Sequence, residues 1–174
     1  MLFRTSTLAG GTYFFTVDLE DRRSGMLVEH AYKLRSTVRL VRERHPFDIL
    51  AWVMLPDHLH AVWTLPDEDA DAAMRWALIK ARFASFIAPE ESASRSRLPS
   101  ADASVWQRHY REHLIRDDTE LQRHLDYVHF NPVKHGYVAM ASDWPYSSVH
   151  RYVRSGALDE RWTGDGGKAS SRLA

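Results

Sequence analysis

Two histidines stand one residue apart in "LPDHLHAVWTLP", residues 55–66. Successive side chains of a strand point to opposite faces, so His58 and His60 share one face, continued by Val62 and Thr64. Leu59, Ala61, Trp63 and Leu65 form an apolar face opposite. Such an imidazole pair could ligate a metal or simply sit on a solvated sheet face. Further along, "YVHFN" places Tyr127 and Asn131 four residues apart. On a helix that is one turn, so both can reach one small ligand. A divalent metal held by His58, His60 and the Asn131 oxygen would act as a Lewis acid on a phosphodiester. Tyr127 would then attack phosphorus and form a covalent intermediate. A free tyrosine titrates near about 10 and needs help to lose its proton. His124, one turn earlier, is a candidate helper. Each piece also has a plain structural role: Asn131 before Pro132 can cap a helix end, and Tyr127 can pack on a sheet. Two imidazoles alone favour zinc or manganese over magnesium.

The elements that must carry these residues follow from hydrophobic period and turn signals. Residues 12–19, "TYFFTVDL", read as a first strand. Leu27, Ala31, Leu34, Val38 and Val41 step by four and three along one helix, punctuated by Pro46. "FDILAWVML" and "HLHAVWTL" form a hairpin across Pro56 and Asp57. A second helix opens near Asp69 or Asp71 and buries Ala72, Trp76, Ile79, Phe83 and Phe86. "PEESASRSRLPSADAS" has loop composition, and "SVWQRHYREHLI" reads as a fourth strand. Asp117 and Glu120 stand at capping-box spacing and open a third helix, which Pro132 should end or kink. That helix carries a core stripe of Leu121, Leu125 and Val128 beside a polar stripe of Glu120, His124, Tyr127 and Asn131. "DWPYSSVHRYVRSG" suits a short last helix with Pro145 near its start and Gly156 beyond its end.

The order β-α-β-β-α-β followed by helices is the ferredoxin-like arrangement. It is an α+β fold whose antiparallel sheet keeps helices on one face and leaves the other open to a ligand or an added helix. Residues 1–162 read as a single domain and residues 163–174 as a flexible tail.

Composition narrows the chemistry. The chain has 174 residues, 44% of them hydrophobic, enough for one sizeable core. It contains no cysteine, which excludes disulfides, thiolate metal sites and cysteine nucleophiles. No signal-peptide core or membrane-length apolar run is visible, so a soluble cytoplasmic protein is expected. Lys plus Arg and Asp plus Glu balance at 23 each. The charge is nevertheless segregated: residues 22–44 and 75–116 are basic, whereas Asp67, Glu68, Asp69 and Asp71 cluster. Segregation of this kind can make a local phosphate-binding surface on a neutral protein, or only solvated helix faces.

The segments "WVMLPDHLHAVWTLP", "IKARFASF", "WQRHYREHLIRDDTEL", "DYVHFNPVKHGYV" and "DWPYSSVHRYV" together resemble the REP-associated tyrosine transposases of the single-tyrosine HUH transposase-like family. The resemblance spans roughly residues 10–162. It matches the HUH pair to His58 and His60, the nucleophile to Tyr127 and the third metal-binding residue to Asn131. It implies a ferredoxin-like fold, magnesium or manganese as the metal, and cleavage of single-stranded DNA beside imperfect hairpins. It implies a 5′-phosphotyrosine with a free 3′-hydroxyl, and rejoining by the reverse reaction. It leaves monomer and homodimer both open. Under it, Lys80, Arg82, Arg95, Arg97, Arg108, Arg111 and Lys134 become candidate DNA contacts. Two rival readings remain: a phosphodiesterase using water with Tyr127 structural, and a hairpin-binding module without catalysis.

Overall fold

The computed structural model describes residues 8–94 and 104–164. Its four strands are β1 (Thr12–Asp18), β2 (Asp48–Met54), β3 (His58–Thr64) and β4 (Arg111–Leu114). They form one antiparallel sheet in the order β2-β3-β1-β4. This is the ferredoxin-like order expected from the sequence, in which each helical crossover skips a strand. No described helix is long and apolar enough to cross a membrane.

One sheet face carries the main core. Alternation puts Tyr13, Phe15 and Val17 of β1 beside Leu59, Ala61 and Trp63 of β3, all buried. Helices α2 (Ala31–Arg44) and α3 (Ala72–Ser94) cover this face through Leu34, Val38, Trp76, Ile79 and Phe83. Trp63 and Trp76 stack with ring centroids 4.2 Å apart, fixing α3 to β3. Arg75, only 1% exposed, places its guanidinium on both Asp69 carboxylate oxygens and on the carbonyls of His45, Pro46 and Asp71. Its charge therefore ties the β3–α3 loop to the end of α2, inside the protein.

Several boundaries differ from expectation. The first helix is two: α1 (Met26–Glu29) ends at His30 and α2 starts beside it. Leu27 and Ala31 still share the buried stripe. Helix α3 runs through Pro89 to Ser94, into the stretch expected to be loop. Ile87, not Phe86, is the last core residue of its stripe, and Phe86 is 40% exposed. The fourth strand pairs only over Arg111–Leu114, with a separate bridge from Trp106 to Leu19. The last helix, α5 (Val149–Arg154), begins four residues after Pro145, because Ser147 first bridges to Val53. Arg95, Arg97 and residues 165–174 lie outside the described residues.

Helix α4 (Asp118–Lys134) decides the architecture of the second face. Its N-terminus is capped as the sequence suggests: the Glu120 amide donates to the Asp117 side chain. Pro132 does not end it. The helix stops two residues later, where Gly136 at φ +76 lets its own amide reach the Val133 carbonyl and the Tyr137 amide reach that of Pro132. This double closure is the glycine-dependent Schellman motif. Leu125 and Val128 then bury against Ala51, Val53, Leu55, Val62 and Ile115, so α4 is the added helix on the face left open by α2 and α3.

His129 on α4 is buried, and burial, with Arg151 nearby, pulls its imidazole down to about 4. Its Nε2 meets the Ser148 hydroxyl at 2.8 Å. A histidine kept neutral in the native state stabilises it fully above the unfolded value of about 6.5 and loses that contribution as pH falls toward about 4. The loss amounts to about 3 kcal/mol. The urea midpoint should therefore drop between pH 7 and pH 4.5, and His129→Gln should flatten the drop. An equal drop in both proteins would contradict this assignment.

Candidate functional site

The two histidines lie where α4 crosses the sheet. His58 and His60 are 5% and 4% exposed, so neither sits on a wet face. Each is held through Nδ1. Asp57 Oδ1 lies 2.8 Å from that of His58, and Thr16 Oγ1 lies 2.8 Å from that of His60. With Nδ1–H donating to these oxygens, both Nε2 atoms keep a free lone pair. Burial lowers both imidazoles. For His58 the Asp57 carboxylate works against burial, whereas for His60 neighbouring positive groups add to it and hold it well below the ordinary range. Neutral rings are the ligating form.

The C-terminal half of α4 supplies the rest. The Tyr127 ring lies edge-on to His60 with centroids 5.3 Å apart, and also packs on Phe14 at 5.7 Å. Two turns on, the His135 ring lies 5.3 Å from that of His58. Asn131 falls midway between Tyr127 and His135 on the same helical face, and so over the imidazole pair. It is fully buried, and neither its Oδ1 nor its Nδ2 has a hydrogen-bond partner. His60 Nε2 is likewise buried without one. Orphaned polar atoms cost about 1–3 kcal/mol each, so a cluster of them marks a place built for a ligand. The set fits a divalent ion: two neutral imidazoles and an amide oxygen, with partners behind the imidazoles. No group of three His, Cys, Asp or Glu residues suited to a metal occurs among the described residues.

A charged network stands behind the pair. Arg22 binds Asp18 and, at 2.9 Å, the Asp57 carboxylate that orients His58. Arg111 approaches the other Asp18 oxygen at 3.5 Å. Register explains why these residues meet: Thr16 pairs opposite His60, and Asp18 opposite His58. The sequence reading missed Thr16, Asp18, Arg22, Asp57 and His135. Asp57 was findable as the residue preceding His58. Thr16 and Asp18 required the strand register.

The other expected site residues separate. His124 turns toward β4, where it stacks on His113 at 5.2 Å, and its Nδ1 lies 2.8 Å from the Glu120 carbonyl. The polar stripe of α4 is thus divided. Glu120 and His124 serve the β4 side, and Tyr127 and Asn131 the histidine side. Lys134 arches over Tyr127, with Nζ 4.9 Å from the ring centroid. Lys80 lies on the far side of the sheet, where it donates to the Gln107 carbonyl at 2.9 Å and covers the Tyr110 ring. Arg82 is half-buried on α3, and Arg108 and Arg111 are exposed.

The fold and site define an α+β domain of ferredoxin-like topology whose added helix closes a buried His–His–Asn cluster with a tyrosine at its edge. No family model matches the chain. Curated relatives do. A REP-associated tyrosine transposase of Escherichia coli is 40% identical over 163 residues, 94% of this chain and 91% of the relative. A Haemophilus influenzae chain, named as a candidate for the same designation, is 41% identical over 164 residues, 94% of this chain and 93% of the relative. A solved REP-associated tyrosine transposase, bound to a REP hairpin, superposes with a TM-score of 0.82 at 39% identity. The match covers 95% of this chain and 92% of that one. The chain belongs to the REP-associated tyrosine transposases.

Proposed function

We propose that the chain, an enzyme of the transposase type, nicks and rejoins single-stranded DNA at REP-type hairpins through a covalent 5′-phosphotyrosine on Tyr127. The observation that carries this is the edge contact of Tyr127 on His60, beside the orphaned His60 Nε2 and Asn131 amide. Magnesium or manganese, held by His58, His60 and Asn131, would supply Lewis-acid polarisation of a phosphodiester oxygen. The chain's residues do the rest. Asp57 and Thr16 fix the ring orientations, and the Arg22–Asp18 pair fixes Asp57. Tyr127 Oη loses its proton and attacks phosphorus. The bond from phosphorus to the 3′ oxygen breaks, that oxygen takes up a proton, and the 5′ phosphate stays on the tyrosine. Attack by a 3′-hydroxyl on this ester reverses the step and joins strands. Lys134, above the Tyr127 ring, is placed to meet the phosphate charge.

The test of the DNA reading is a comparison of affinities at one salt concentration. Unpaired bases offer stacking faces and edges that a duplex hides. A REP-type hairpin with a single-stranded flank should bind at least tenfold more tightly than a blunt duplex of matching sequence. Equal affinities would overturn the reading.

A further inference from the structure

Four rings stand in series from β4 to the Tyr127 side chain. His113 of β4 stacks on His124 of α4, with centroids 5.2 Å and planes 20° apart. His124 lies 4.9 Å from Phe14 of β1, and Phe14 lies 5.7 Å from Tyr127. The far end of the series is clamped. His113 Nε2 is 2.6 Å from one Glu120 carboxylate oxygen, and the other accepts the Arg116 amide. His124 is fixed as well, its Nδ1 lying 2.8 Å from the Glu120 carbonyl one turn earlier. Phe14 therefore sits under α4 against two residues three apart, His124 and Tyr127, which are neighbours on the helix surface. Register brings it there. Phe14 pairs opposite Val62 and His113, and it shares a sheet face with Thr16 and Asp18, the residues behind the imidazole pair.

Phe14 touches both His60 and Tyr127, and the two depend on it differently. Its ring lies 5.5 Å from that of His60 with planes 17° apart, but His60 is also held by Thr16 at Nδ1. The Tyr127 hydroxyl has no hydrogen-bond partner among the described residues, so contacts of the ring alone set its direction. Those contacts are His60 edge-on at 71°, Phe14 edge-on at 80° and the Lys134 cation. An edge-on contact between rings has a preferred orientation, and so fixes tilt as well as place. We infer that Phe14 is a positioning residue for Tyr127: its ring, backed by His124 and His113, keeps the tyrosine oxygen aimed at the point of attack beside His60. This role rests on the nucleophile reading proposed above. It also gives the Glu120–His124 half of the α4 polar stripe a connection to the reacting half. An aliphatic side chain of similar bulk would fill the space under α4 but offers no ring face to set the tilt. Misplacing a reacting group by about 1 Å can cost about 100-fold in rate.

The test is the single-turnover rate of Tyr127 adduct formation at saturating flanked hairpin and Mn²⁺, in the full chain. Hairpin affinity, Mn²⁺ affinity and thermal unfolding are measured beside it for Phe14→Leu, His124→Leu and the double variant. Phe14 is only half-buried, so Phe14→Leu should stay folded at the assay temperature. It should form the adduct about 10–100-fold more slowly than wild type. Both affinities should stay within about threefold, since cations supply the hairpin affinity and Thr16 still holds His60. His124→Leu leaves Phe14 present but unbacked, and should slow the adduct about 3–10-fold. In the double variant His124 has nothing left to act through, so its rate should equal that of Phe14→Leu alone. A wild-type rate in Phe14→Leu would overturn the positioning role and leave the nucleophile reading intact. A loss of Mn²⁺ affinity as large as the loss of rate would overturn it too, because Phe14 would then act on the imidazoles. So would a double variant slowed by the product of the two single effects. Should Phe14→Leu not fold, His124→Leu decides alone, and an unchanged rate there overturns the role. Failure of wild type to form any adduct on Tyr127 would overturn the nucleophile reading, and the positioning role with it.

Discussion

Tyr127→Phe should cut hairpin DNA at least about a thousandfold more slowly than wild type, the scale on which removal of a nucleophile acts. It should bind that DNA within about twofold of wild type, because affinity comes chiefly from cationic contacts to phosphate. The variant is informative because the phenylalanine ring keeps everything that holds Tyr127 in place. The packing on His60 and Phe14 and the Lys134 cation over the face are all ring contacts. The hydroxyl has no hydrogen-bond partner among the described residues, so its loss should change stability by no more than about 0.5 kcal/mol. Rate and binding therefore separate. Near wild-type cleavage by Tyr127→Phe would make water the nucleophile and Tyr127 a packing residue.

The second large effect concerns the imidazoles. His58→Ala and His60→Ala should each lower cleavage at least about a hundredfold and weaken Mn²⁺ binding, measured by calorimetry, by at least as much. Residues behind the ligands should act in the same direction with less force. Asp57→Asn and Thr16→Val should cost about 10–100-fold in metal affinity, the usual effect of loosening a ligand's orientation. Removing the His60 ring also leaves Thr16 Oγ1 without its partner, so Thr16→Val provides the control for that loss. Full cleavage by either histidine variant, or by wild type in excess EDTA, would refute the metal assignment.

Much of this site was legible in the sequence because it rests on periods. The HLH alternation puts two imidazoles on one strand face, and the four-residue step from Tyr127 to Asn131 puts both on one helix face. The ferredoxin-like class followed from the order of elements. Periods do not specify what lies opposite. Thr16 and Asp18 sit behind the histidines only through the β1–β3 register, and no feature within "TYFFTVDL" encodes it. Helix ends were misjudged where one residue's local preference was outweighed by its neighbours. Pro132 lies inside α4 because Gly136, two residues beyond the helix end, makes the closure. Phe86 fits the apolar step of α3, yet Ile87 takes the buried position. Arginines were the least legible. In sequence Arg75 and Arg35 are alike, whereas in the fold one is wholly used by carbonyls and Asp69 and the other faces an open cleft.

The central claim is that the chain itself becomes covalently joined to DNA. Wild type incubated with a flanked hairpin and Mn²⁺ or Mg²⁺, then denatured, should give a species whose mass is protein plus the DNA 3′ of the cut. Peptide mapping should place the 5′ phosphate on Tyr127. Cleaved DNA carrying a free 5′ phosphate with no protein attached would contradict the claim, and an adduct on Tyr110, Tyr137 or Tyr146 would move the nucleophile off α4.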